Sequence, residues 1–110
     1  MALLATHASR LHLFLFIHFL SLQDSLGQVA LHKACYQGHL ECAKALLGAG
    51  ADINKQTNSG YTPLMRAARW GKIEVVKELL KAGANKKLKH NNGYPAYDYA
   101  SKEEIKALLR

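Results

Sequence analysis

Only two cysteines occur in the 110 residues, Cys35 and Cys42. That is too few for the disulfide framework that holds together small secreted domains. Long apolar runs are missing as well. The stretch from Leu11 to Leu22 (LHLFLFIHFLSL) is interrupted by His12 and His18. It falls short of the roughly 20 apolar residues that a spanning helix needs. Acidic residues are scarce, 8 against 15 Lys and Arg, for a formal charge of +7. No G-x-x-x-x-G-K-[ST] run is present to cradle a phosphate. No serine or cysteine nucleophile is accompanied by a base and an orienting acid. No cofactor and no catalytic residue is therefore assigned.

What is present is a period. Gly27, Gly60 and Gly93 lie 33 residues apart, and their surroundings return with them. Leu31 recurs as Leu64, Ala34 as Ala67 and Ala100, and Gly38 as Gly71. Leu46-Leu47 recurs as Leu79-Leu80, and Gly50-Ala51 as Gly83-Ala84. A repeat of this length marks a stack of supersecondary units, with function on an extended surface. An apolar fraction of 49% is ordinary for a folded chain.

Each unit reads as two helices. The first is expected near Ala30–Gln37 and Pro63–Trp70, with Leu31, Ala34, Cys35 and Leu64, Ala67, Ala68 on its apolar face. Pro63 suits a first turn and Thr62 a cap. Gly38 and Gly71 suit a left-handed stop. The second helix is expected near Leu40–Gly48 and Ile73–Ala82, burying Ala43, Leu46, Val76 and Leu79. Cys35 and Cys42 align with Ala68 and Val75, so both read as reduced core residues, although spacing alone leaves a disulfide between them open. The segments 51–60 and 84–93 read as turns. The third unit is short: its Leu108-Leu109 pair comes four residues early, and Lys102, Glu103, Glu104, Lys106 and Arg110 give it a charged outer face. Such a unit serves as a C-terminal cap.

The expected domains are residues 1–26 and 27–110, the latter divided into units at 27–59, 60–92 and 93–110. Residues 1–26 have three readings: a degenerate capping helix with Leu13-Phe14 in phase with the later leucine pairs, a leader outside the fold, or a secretory signal with Arg10 ahead of its apolar region. The reading preferred is cytoplasmic or nuclear; a signal role for residues 1–26 would make the chain secretory.

Gly60-Tyr61-Thr62-Pro63-Leu64-Met65-Arg66-Ala67-Ala68 is similar to the G-x-T-P-L-H-x-A-A run of the ankyrin-repeat family. Ile73-Glu74-Val75-Val76-Lys77-Glu78-Leu79-Leu80-Lys81-Ala82-Gly83-Ala84 resembles the family's second-helix pattern. Met65 replaces the usual histidine, Val29-Ala30 replaces Thr-Pro, and Lys86-Lys87 replaces an apolar-Asn pair. The resemblance covers about three-quarters of the chain. It implies an all-α solenoid of helix-turn-helix units with projecting hairpin loops. It also implies non-catalytic binding of another protein through loop tips and first-helix faces. By position these are Tyr36, Gln37, Asn58, Ser59, Tyr61, Arg69, Trp70, Asn91, Asn92 and Tyr94. Tyr, Trp and Arg are the residues that dominate binding hot spots. The resemblance further marks Asn54 as a candidate for hydroxylation, against a structural role in its loop.

Two rival readings remain. Lys81, Lys86, Lys87 and Lys89, with His90, form the densest basic cluster and would suit nucleic acid or an anionic membrane. No RNA-binding signature or zinc finger accompanies them, and their plain reading is a solvated face. Membrane contact would otherwise fall to the apolar N-terminal segment, and a secreted effector would need that segment as a signal. Cys35, His39 and Cys42 lack a fourth ligand for zinc, and His39 aligns with exposed Lys72, so no metal is expected.

Overall fold

A computed structural model describes Leu15 and residues 18–110. The capping-helix reading of Leu13-Phe14 and the Arg10 of a signal lie outside the described residues. Six helices follow residue 29: α1 Ala30–Gln37, α2 Leu40–Gly48, α3 Pro63–Arg69, α4 Ile73–Lys81, α5 Ala96–Tyr99 and α6 Glu103–Leu109. Among the described residues no strand forms, and one isolated antiparallel bridge joins Lys89 to Pro95. The first four helices begin where the sequence pattern places them, and α3 and α4 each end one residue early, at Arg69 and Lys81.

Helix boundaries follow local chemistry. Thr62 caps α3, its Oγ1 accepting the Met65 N–H at 3.1 Å, with Pro63 in the first turn. Gly38 ends α1 at φ +74°, a conformation costly for any residue with a Cβ. The His39 N–H then reaches back to the Ala34 carbonyl at 2.9 Å.

Successive first helices α1, α3 and α5 pack side by side, and α2, α4 and α6 do the same behind them. Ala34, Ala67 and Ala100 are all buried. Their small side chains let the first helices approach closely. Leu31, Leu64, Met65, Val76, Leu79 and Ile105 fill the seam between the two layers. Leu40, Leu47, Ile73 and Leu80 pack partly buried against it.

One core assignment is corrected. Cys35 is fully buried, but Cys42 is exposed, and both thiols are free. Its counterpart Val75 is buried and shares a groove with Gly38 of the preceding unit. Cys42 holds the corresponding position on α2 without such a neighbour and is exposed.

Candidate functional site

The hairpins repeat bond for bond. Thr57 N–H donates to the Tyr61 carbonyl at 2.9 Å, and His90 N–H to the Tyr94 carbonyl at 3.0 Å. A third turn of the same form starts earlier, with Asp24 N–H donating to the Gln28 carbonyl at 3.0 Å. Side chains at these positions close each turn: Asp24 accepts from the Leu26 and Gln28 N–H groups, Thr57 from Tyr61, and His90 Nδ1 from Asn92. The backbone bonds to Asp24 hold its carboxyl below the usual carboxylate range, led by that from Gln28.

Neighbouring hairpins are tied together. Asn58 N–H donates to the Leu26 carbonyl and Asn91 N–H to the Ser59 carbonyl, each at 2.9 Å. Their side-chain amides repeat the link, Asn58 to the Ser25 carbonyl and Asn91 to the Asn58 carbonyl. Asn58 and Asn91, expected at the contact surface, are exposed and also hold the hairpin row in register. Ser59 and Asn92 are exposed at the tips. Asn54 Oδ1 accepts the Asn85 N–H at 2.8 Å, so this side chain joins two successive loops.

Behind the tips, the first helices present a continuous face of rings and cations. Arg66 lies over the ring of Tyr61, with 4.5 Å between guanidinium carbon and centroid. Tyr61 stacks on His90 at 4.1 Å between centroids and meets the edge of Tyr99 at 5.7 Å. Tyr94 meets Tyr99 at 6.5 Å. Trp70, 56% exposed, lies 6.4 Å from Tyr36 across the gap between α1 and α3. Arg69 and Gln37 are exposed beside them. Burial, with the neighbouring tyrosines Tyr61 and Tyr94 adding to it, pushes the Tyr99 hydroxyl above its ordinary pKa.

The structure therefore gathers Tyr36, Tyr61, Arg69, Trp70 and Tyr94 on one face and adds residues that the sequence reading missed. Arg66 and Tyr99 stand 33 residues apart, in the same register as Lys33. That register was the available signal. His90, read with the basic cluster, is the buried hub of the aromatic cluster. His32 is a structural residue: Nδ1 accepts the Val29 N–H at 3.1 Å, and Nε2 faces the Lys55 and Tyr61 carbonyls at 2.8 and 3.0 Å.

The basic cluster occupies another region. Lys86, Lys87 and Lys89 surround Pro95, Tyr97 and Leu109, and the Lys86 amine bonds the Arg110 carbonyl. Among the described residues no group of three His, Cys, Asp or Glu is placed to hold a metal, and no helix is long and apolar enough to cross a membrane.

Comparison with known families matches residues 2–90 and 31–109 to the model described as ankyrin repeats (3 copies). Ankyrin repeat domain-containing protein 13B of Mus musculus and that of Homo sapiens are each 47% identical over 38 residues, 34% of this chain. The chain spans 6% of the length of those curated relatives by that match.

Proposed function

The chain belongs to the ankyrin-repeat family, whose repeats generally serve protein–protein interaction without catalysis, and we propose that it binds a partner protein through hairpin tips and first-helix faces. The observation that carries this reading is the exposed Trp70, braced by Tyr36 and flanked by Arg69 on packed helices. A rigid aromatic anchor offers large contact area at little entropic cost, and Trp, Tyr and Arg supply most hot-spot energy. The tied hairpins support the same reading, because they hold Tyr61 and Tyr94 in fixed positions before any partner arrives. The two free thiols support a reducing setting, cytoplasmic or nuclear.

The test is affinity capture with the wild type and with a Trp70→Ala/Tyr61→Ala double variant whose thermal unfolding is measured alongside. Partners held by the wild type are expected to be lost from a variant that still unfolds cooperatively. Equal recovery by both proteins overturns the assignment of this face.

A further inference from the structure

The charge on this molecule is distributed unevenly. On the outer helices three lysines are matched locally: Lys44 with Glu41 at 3.7 Å, Lys77 with Glu74 at 3.9 Å, and Lys106 with Glu103 at 3.8 Å. On the inner face Lys33 is matched by Asp24 at 3.7 Å. Arg66 and Arg69 of α3 have no such match. Among the described residues no carboxylate comes within ion-pair distance of either. They stand three residues apart on one helix and so share a face. The Arg66 Nε is shielded from solvent without an acceptor, and so is the Tyr99 hydroxyl, in the ring cluster that Arg66 caps. The Arg69 charge also reaches Tyr99. A guanidinium only donates, so an acceptor-rich group is what suits exposed Arg69 and the solvent side of half-buried Arg66.

Beside these donors lies an apolar recess. Leu26, Gln28, Tyr36, Arg66 and Trp70 line a cleft of about 260 Å³, open to solvent. Its walls are an aliphatic chain and two rings, with a guanidinium and an amide for polar contact. A carboxylate next to an apolar side chain would satisfy both halves together.

Building on the proposed role of this face in protein binding, we propose that its partner is an acidic peptide segment. One carboxylate engages Arg66 and Arg69, and a neighbouring apolar side chain enters the cleft between Tyr36, Trp70 and Leu26. The planar arginine fork suits a carboxylate bidentately, which a lysine would not match. Electrostatic complementarity then fixes register, and the rings supply contact area.

The probe is a random peptide library displayed on phage and selected on the immobilised full chain. Recovered peptides are titrated against the wild type, Arg66→Gln/Arg69→Gln, Arg69→Gln alone, Trp70→Ala and Lys86→Gln/Lys87→Gln. Arg69→Gln alone covers the case in which loss of the Arg66–Tyr61 contact disturbs folding. Peptides rich in Asp or Glu beside an apolar residue are expected. Loss of both arginines should weaken binding about tenfold or more, with the lysine variant unchanged. Binding should also weaken as salt is raised. Neutral peptides that need Trp70 but not the arginines would overturn the acidic partner and leave the binding face in place. Peptides indifferent to Trp70 and to the arginines would overturn both. Displacement of the acidic peptide by a DNA duplex as effectively as by itself, or recovery of no peptide at all, would also overturn the proposal.

Discussion

His32 Nδ1 accepts the Val29 N–H at 3.1 Å, closing the first turn of α1 from inside the core. One repeat later Met65 Sδ faces the Thr62 N–H at 3.5 Å in the same role. The two solutions differ in one respect, that an imidazole titrates and a thioether does not.

Burial pushes the His32 pKa below its ordinary 6.5, with Arg66 and Lys55 adding repulsion against the hydrogen bonds to the Lys55 and Tyr61 carbonyls. The unfolded chain then binds this proton more readily than the folded one. Stability is full above pH 6.5 and falls as pH drops from there toward the folded value, by at most about 1.4 kcal/mol per pH unit for a single proton. His32→Met should remove this component. Melting curves of the two proteins across the acidic range check it: equal slopes would show that His32 contributes nothing.

The two glycines Gly60 and Gly83 separate two causes of intolerance. Both have positive φ, +100° and +96°. A Cβ on Gly60 would sit 2.8 Å from Asn91 Oδ1 and 2.9 Å from the Asn91 backbone nitrogen, whereas one on Gly83 meets nothing within 4 Å. Gly83→Ala is expected to cost about 1–2 kcal/mol for left-handed backbone alone. Gly60→Ala should cost more, because it also forces apart the hairpins that Asn91 joins. Denaturant unfolding of both variants measures the difference, and equal losses would mean that the hairpin row yields freely.

The sequence reveals what depends on spacing within a unit and conceals what depends on neighbours. The helices follow from Pro63, Gly38, Gly71 and the leucine pairs, which act on their own segments, and boundaries agree within a residue. Trp70 stands off the apolar stripe of its helix, so its exposure is readable. The contacts of Arg66 with Tyr61 and of Tyr61 with His90 pass between a helix and two hairpins, and no local pattern marks them. Cys42 misleads for a related reason. Its alignment with Val75 is correct, but Val75 lies beside Gly38 of the preceding unit and is buried, whereas Cys42 is exposed.

The two thiols should therefore react differently. Burial pushes the Cys35 thiol up to about 12, with Cys42 nearby adding to it, while Cys42 is exposed. The thiolate is the reactive form, so Cys35 is protected both by pKa and by access. A maleimide is expected to label one site per chain in native protein and two after denaturation, read by mass spectrometry. Rapid double labelling of native protein would show that α1 opens readily.

Leu79 has the same side chain as Leu46 one unit earlier but sits deeper, with no exposed surface against 7%. Its helix α4 is packed between α2 and α6, so the surroundings are held from both sides and collapse poorly around a void. Leu79→Ala is expected to cost about 2–5 kcal/mol, the upper part of that range applying where the cavity persists. Against roughly 5–15 kcal/mol for the whole fold, that loss is large. Leu46→Ala should cost less, because it leaves a void nearer the surface. Thermal unfolding of both variants decides it. The reverse order would place the tightest packing in the first unit and make the middle unit the soft part of the stack.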